Sequence, residues 1–314
     1  MTKALLFALF FASGSAALIS QTPDWQPSPG HTQIPIWPGA PPDAVPVAGP
    51  ETSTMREQDH LVAGKPWVYV ERVSRPTMTV YSPIGKNTGA AVVVFPGGGY
   101  RILAIDLEGT EVCDWLTSKG ITCVLLKYRV PGENRFPSSG AYPKSPVALE
   151  DAQRTVGLVR FHAAEWGIDP HKIGVLGFSA GGHLVAAIST NFKRHLYKAV
   201  DAADRESCRP DFGVALYPGH MLENTSREFE LNPYVPVTKE TPPMFLLQAE
   251  DDPVDTVENS LVYYYALKKA GVPVEMHLYA QGGHGFGLRR TTMPITEWPP
   301  LVEKWLKSIG ITSE

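Results

Sequence analysis

Gly177-Phe178-Ser179-Ala180-Gly181 is a G-x-S-x-G pentapeptide, and its surroundings suit a nucleophilic serine. Lys172 to Leu176 ahead of it is a short apolar run of strand type, and Gly182 to Ile188 behind it reads as a helix. A strand, a sharp turn and a helix force the central serine into a strained backbone and expose its hydroxyl above a sheet. The flanking glycines let neighbouring backbone come close to such a turn. A serine hydroxyl is a weak nucleophile near neutral pH. It needs a base within hydrogen-bond reach, and the base needs a group that orients it. The pentapeptide recurs by chance, so the weight falls on whether those partners are present.

The candidate base is His284, in Gly282-Gly283-His284-Gly285-Phe286, just after the strand-like run Val274 to Tyr279. A glycine-rich loop at a strand end can carry the ring to the serine. His183 lies closer in sequence but sits four residues into the helix after Ser179 and points back along it, which makes it structural. His277 alternates within a strand and reads as a packing or surface residue. The candidate acid follows the apolar strand Phe245 to Gln248, where Asp251, Asp252 and Asp255 compete. Asp252-Pro253 fits best, because proline fixes the turn. The two carboxylates not used should be solvated turn residues or a cap for the next helix. Acyl transfer also needs amides aimed at the developing oxyanion. The amide of Ala180 lies at a helix N-terminus, where the dipole favours negative charge. Gly98 and Gly99, in Pro96-Gly97-Gly98-Gly99-Tyr100 after the buried run Ala91 to Phe95, offer amides without side chains in the way. In other enzymes one such donor contributes about 3 kcal/mol. Arg129, just past a core strand, and Asp151, at the start of a helix, are expected to form an ion pair that braces the site.

These residues must be positioned by a sheet. Ala91 to Phe95 and Ile121 to Leu126 are continuous apolar runs, as expected of parallel strands buried on both faces. Further strands are expected at 173–176, 211–217, 245–248 and 274–279. Helices are expected at about 108–118, 147–166, 257–270 and 298–309. This alternation predicts an α/β fold, with a mainly parallel central sheet and helices on both faces. Trp67 to Val70 and Thr77 to Tyr81 look like antiparallel edge strands. Residues 22–50 carry nine prolines and should form an extended arm outside the sheet, anchored by Ile36 and Trp37. Residues 219–243 lack periodicity and read either as an excursion over the strand ends or as an ordinary surface loop.

Lys3, the apolar run Ala4 to Ala12 and the small residues Ser13 to Ala17 have the layout of a signal peptide, expected over residues 1–20. The apolar run falls far short of the ~20 residues a membrane span requires. Export to the periplasm or the medium is therefore expected. A proline-rich arm follows at 21–64, and a catalytic domain at 65–314. A formal net charge of −4 and the absence of a basic run argue against a nucleic-acid partner. Cys113, Cys123 and Cys208 show neither zinc-site nor disulfide-framework spacing. Apolar surroundings favour buried thiols at Cys113 and Cys123, although an oxidising compartment would also allow a bridge between them.

From about residue 65 onward the chain resembles the α/β-hydrolase superfamily. Within it, the chain is similar to bacterial esterases and lipases of the acetyl xylan esterase group, relatives of the hormone-sensitive-lipase-like enzymes. The resemblance rests on Pro96-Gly97-Gly98-Gly99-Tyr100, Lys127-Tyr128-Arg129, Gly177 to His183, Asp252-Pro253 and Gly283-His284-Gly285-Phe286, with Ile34 to Gly39 as a similar N-terminal segment. The order Ser, Asp, His also matches that superfamily. The resemblance implies Ser179, Asp252 and His284 as a triad, with Gly98 and Gly99 serving the oxyanion hole. It implies hydrolysis of small acyl esters, such as acetyl groups on plant polysaccharide, without a metal or organic cofactor. One departure is that Pro96 stands where the hormone-sensitive-lipase-like enzymes have a histidine thought to brace the loop. A serine peptidase of the same fold and an inactive carbohydrate-binding relative are the alternative readings. The sequence does not bear on oligomeric state.

Overall fold

The computed structural model describes residues 22–44, 46–130, 147–222 and 229–313. In chain order the strands are β1 (Thr22–Pro23), β2 (Ile34–Pro35), β3 (Thr52–Arg56), β4 (Trp67–Glu71), β5 (Thr77–Tyr81), β6 (Ala91–Phe95), β7 (Ile102–Leu103), β8 (Thr122–Lys127), β9 (Ile173–Phe178), β10 (Gly213–Leu216), β11 (Met244–Ala249) and β12 (Val274–Tyr279). The α-helices are α1 (Glu111–Ser118), α2 (Val147–Phe161), α3 (Ala180–Asn191), α4 (Glu258–Lys269) and α5 (Pro299–Ser308).

The main sheet has eight strands in the order β12-β11-β10-β9-β6-β8-β5-β2. All pairings from β12 to β8 are parallel, and the pairings of β5 with β8 and with β2 are antiparallel, so β5 alone is reversed. Strands β6, β8, β9 and β11 are buried along their whole length, as expected when helices cover both faces. Consecutive side chains of a strand address opposite layers. Phe212, at the start of β10, meets Trp305 of α5. A Cβ on its neighbour Gly213 would instead press on Val185 of α3. Strand β12 ends the sheet and is half-exposed; there His277 pairs with Glu275 and packs on Phe245.

The chain steps outward from β6 to β8 and then crosses back to β9 on the other side of β6. Such a reversal opens a crevice at the carboxyl ends of the strands, where ligands of open α/β sheets bind. The segments after β6, β9, β10, β11 and β12 all emerge at that edge.

The structure corrects several expectations. The arm does enter the sheet: Ile34 and Pro35 pair with Met78 and Thr77 of β5, at an outer edge where proline's missing donor does no harm. Trp67 to Val70 is not an edge of the main sheet. It pairs with β3 and β7 in a second, antiparallel sheet of order β1-β3-β4-β7. The helix expected from 108 becomes regular only at Glu111, after a wider turn over Asp106–Thr110. Helix α2 ends at Phe161 rather than near 166. Cys113 and Cys123 are joined in a disulfide with their Cα atoms 5.1 Å apart, so they are not free thiols. The α1-to-β8 crossover returns the chain onto its own starting point, which ten residues of sequence do not reveal. Cys208 is free and buried.

Ile36 and Trp37 are buried, and Trp37 Nε1 donates to Asp151 Oδ1 at 2.8 Å. Arg129 pairs with Asp151 at 2.9 Å and with Glu150 at 2.9 Å, all three nearly excluded from solvent. The arm, the end of β8 and the start of α2 thus share one buried polar knot. Residues 1–21, including the expected signal peptide, lie outside the described residues. The described parts of 219–243 hold no helix or strand, only a bridge between Leu222 and Leu231.

Candidate active site

Ser179 sits between β9 and α3 with φ 52° and ψ −120°, a left-handed conformation that costs a non-glycine residue about 1–3 kcal/mol. Backbone contacts hold it there. Its amide donates to the Leu216 carbonyl at 3.0 Å, and its carbonyl accepts from the His183 amide at 3.0 Å. The glycines make the close approach feasible. A Cβ on Gly177 would overlap the Gly181 carbonyl, and a Cβ on Gly181 would overlap the Phe95 carbonyl. The pentapeptide is therefore wedged between its own helix and β6.

His284, Asp252 and Ser179 converge from three loops. His284 Nδ1 bonds Asp252 Oδ2 at 2.7 Å. Asp252 is itself held: its Oδ1 accepts from the amides of Val254 and Asp255, and its Oδ2 also accepts from Gln248 Nε2 at 3.0 Å. The other imidazole nitrogen, Nε2, lies 3.8 Å from Asp255 Oδ2, and Ser179 Oγ donates to that same oxygen at 3.3 Å. The hydroxyl and the free imidazole nitrogen thus meet at one carboxylate oxygen.

The three aspartates do three different things. Asp252 orients the imidazole. Asp251 Oδ1 accepts from the amides of Gly282 and Gly283 at 2.9 and 2.8 Å, tying down the loop that carries His284. Asp255 is neither a solvated turn residue nor a helix cap, as expected of an unused carboxylate. It is largely buried against Ser179 and His284. Gly219 leaves room for it, since a Cβ there would overlap Asp255 Oδ1.

Burial pulls the His284 pKa down, but the hydrogen bond and charge of Asp252, with Asp255 and Glu108, outweigh it and hold the pKa above the ordinary imidazole value. Burial pushes Asp255 above the usual carboxylate range against the pull of His284 and His220. His183 is fully buried, and burial drives its pKa well down, so it is neutral. Its Nδ1 bonds Tyr100 Oη at 2.7 Å, beneath the glycine loop.

The amides of Gly98, Gly99 and Ala180 have no partner among the described residues. The Gly97 amide does: it donates to Glu108 Oε2 at 2.8 Å. Glu108 is almost wholly buried; burial raises its pKa, and bonds from the Tyr217 hydroxyl and Gly97 act against that. Tyr217 Oη donates to Glu108 Oε1 at 2.8 Å and accepts from the Gly287 amide at 3.1 Å, while its ring packs against His284. A single buried carboxylate thus links the glycine loop to the histidine loop. Tyr128 Oη adds a 2.6 Å bond to the Pro96 carbonyl. These groups occupy the role expected of the absent histidine at position 96. Glu108 and Tyr217 escaped the sequence reading. Their only signal was a charged residue inside an apolar stretch and a polar ring at a strand's end.

A cavity of about 690 Å³ lies apart from this centre, beneath the arm, between Trp37, Pro41, Val73 and Arg129. No cluster of His, Cys, Asp and Glu suited to a metal occurs among the described residues, and none of their helices is long and apolar enough to cross a membrane.

A family profile described as alpha/beta hydrolase fold matches residues 92–288. An acetylxylan esterase from Xylanibacter ruminicola is 31% identical over 241 residues, which is 72% of this chain and 47% of that protein. The chain thus spans about half the length of that relative. An arylesterase from Saccharolobus solfataricus is 27% identical over 242 residues, covering 69% of this chain and 75% of its own length. Among solved structures, an acetyl ester-xyloside bifunctional hydrolase from Caldicellulosiruptor lactoaceticus superposes with a TM-score of 0.67 at 34% identity, over 90% of this chain and 97% of the other.

Proposed function

This chain belongs to the alpha/beta hydrolase fold family, and on that premise we propose that it is a serine carboxylesterase acting on short acyl esters, acetyl esters of polysaccharide such as xylan foremost. The observation that carries the reading is the approach of Ser179 Oγ and His284 Nε2 to the same oxygen of Asp255, with buried Asp252 behind the imidazole. The acetylxylan esterase and the acetyl ester-xyloside hydrolase among its relatives support the acetyl assignment.

In this reading Ser179 turns from Asp255 toward His284 Nε2 and attacks the ester carbonyl as the imidazole takes its proton. Asp252 keeps the Nδ1–H tautomer in place and stabilises the imidazolium. The amides of Gly98, Gly99 and Ala180 receive the oxyanion, and α3 directs its positive end at the same point. The imidazolium then gives its proton to the departing alcohol. Water, activated by the same imidazole, releases the carboxylic acid from the acyl-enzyme. Residues 65–314 form the catalytic unit, and 21–64 the arm packed on it. Export of the protein, with residues 1–20 as signal peptide, is supported by the Cys113–Cys123 disulfide, since such bonds persist in oxidising compartments.

The test is a series of 4-nitrophenyl esters of rising chain length, acetylated xylan and an aminoacyl anilide, with Ser179→Ala as control. Fastest turnover of acetyl esters, acetate release from xylan and no amide cleavage are expected. Preference for long acyl chains, or for the anilide, would overturn the assignment.

A further inference from the structure

Asp255 has no place in the triad, because Asp252 already holds His284 Nδ1 and is itself satisfied by two amides and Gln248. Yet Asp255 bonds the nucleophile directly, with Oδ2 accepting from Ser179 Oγ and 3.8 Å from His284 Nε2. A carboxylate here opposes the negative charge that grows on the substrate during attack. It also holds the serine proton away from the base. When Ser179 turns to His284, the Asp255 oxygen loses its donor, and an unpaired, largely buried carboxylate is expensive. Among the described residues no group donates to its other oxygen, Oδ1, which faces Gly219. Once Ser179 has turned, no hydrogen bond to Asp255 from the described residues remains, only the nearby imidazoles of His284 and His220, and a donor on the substrate would fill that place.

We propose that Asp255 is a specificity residue that binds a free hydroxyl of the leaving alcohol, so that the preferred substrates are acetate esters of polyols carrying an unsubstituted hydroxyl next to the esterified carbon. This rests on the esterase reading and narrows its substrate class. A neighbouring sugar hydroxyl donates to Asp255 in place of Ser179, which frees Oγ for His284 Nε2. A simple aryl or alkyl ester has no such donor and leaves the carboxylate exposed to the developing charge. An anionic leaving group is rejected by like charge. Gly219 is part of the device, because any side chain there would displace Asp255.

The test compares two monoacetylated methyl xylosides, one with a free hydroxyl beside the acetate and one with that hydroxyl methylated, on wild type, Asp255→Asn and Asp255→Ala. Hydrogen bonds to charged groups contribute about 1.5–3 kcal/mol, or roughly 10- to 100-fold. The wild-type kcat/KM should favour the free-hydroxyl sugar by about that factor, and the ratio should fall toward one in both variants. Equal wild-type rates on the two xylosides would overturn the proposal whether or not the variants fold. An unchanged ratio in folded variants that still label with a fluorophosphonate would do so as well. Wild type active on 4-nitrophenyl acetate but indifferent to the hydroxyl would sink this inference alone. Wild type inert on every ester and unlabelled at Ser179 would remove the esterase reading beneath it.

Discussion

Ser179 is placed by close backbone packing, whereas His284 is placed by side-chain hydrogen bonds gathered from several segments of the chain. At the elbow, Gly177 and Gly181 let β9, α3 and the end of β6 touch backbone to backbone, and the positive φ of Ser179 follows from that contact. On the histidine side, Asp251 ties the loop amides, Asp252 orients the ring, and Tyr217 packs against it while bonding Glu108. A site built on backbone contact tolerates almost no added atoms. One built on side-chain hydrogen bonds should lose function in steps, one partner at a time.

The largest expected effect tests the nucleophile itself. Ser179→Ala should lower kcat by roughly 10⁵- to 10⁶-fold, as loss of a triad nucleophile does elsewhere, with the thermal midpoint unchanged or raised by relief of strain. Residual turnover within a few hundred-fold of wild type would mean another nucleophile. Next, Asp252→Asn should cost on the order of 10⁴-fold in kcat by favouring the wrong imidazole tautomer, while Asp251→Asn should cost far less. Equal losses at the two positions would erase the division of labour drawn between them.

Gly181→Ala should separate the two regions by stability. Its Cβ would overlap the Phe95 carbonyl, and forced overpacking costs about 1–3 kcal/mol or more, readable as a lower urea midpoint with activity lost alongside. Wild-type stability there would contradict the tight elbow. Glu108→Gln is the histidine-side counterpart. Leaving Gly97 or Tyr217 without its acceptor should cost about 1–3 kcal/mol, with kcat falling more than KM rises because the glycine loop loosens. The smallest effect is on pH dependence. The base must be neutral, so kcat/KM falls as pH drops through the His284 pKa, and carboxylates that hold this pKa up place the acid limb above the free imidazole value of about 6.5. Asp255→Asn removes one of those carboxylates and should move the limb to lower pH; a limb that stays put would argue that Asp255 does not act on His284.

The core strands were legible in the sequence because strands buried on both faces are continuous apolar runs, as in β6, β8 and β9. The edges were not. Ile34-Pro35 is short and exposed, Trp67 to Glu71 short and mostly half-buried, and nothing in two or five residues says which edge they will meet. Element ends shifted for a related reason: the wide turn before α1 exists to set Glu108 beneath Gly97, a demand that arises across the fold.

The sequence by itself determined the strand–elbow–helix unit around Ser179, because glycine spacing and local sterics leave that segment little choice. It also determined the chain order of the chemistry-bearing residues. Only the tertiary structure decided which aspartate orients His284, which one tethers its loop and which one faces the serine. These three carboxylates lie within five residues and are chemically alike, so their roles depend on how β11, β12 and the Gly219 turn pack against one another. The pairing of Cys113 with Cys123 and the brace from Glu108 to Tyr217 were decided in the same way, since each needs two segments brought within bonding distance by a crossover or a shared core.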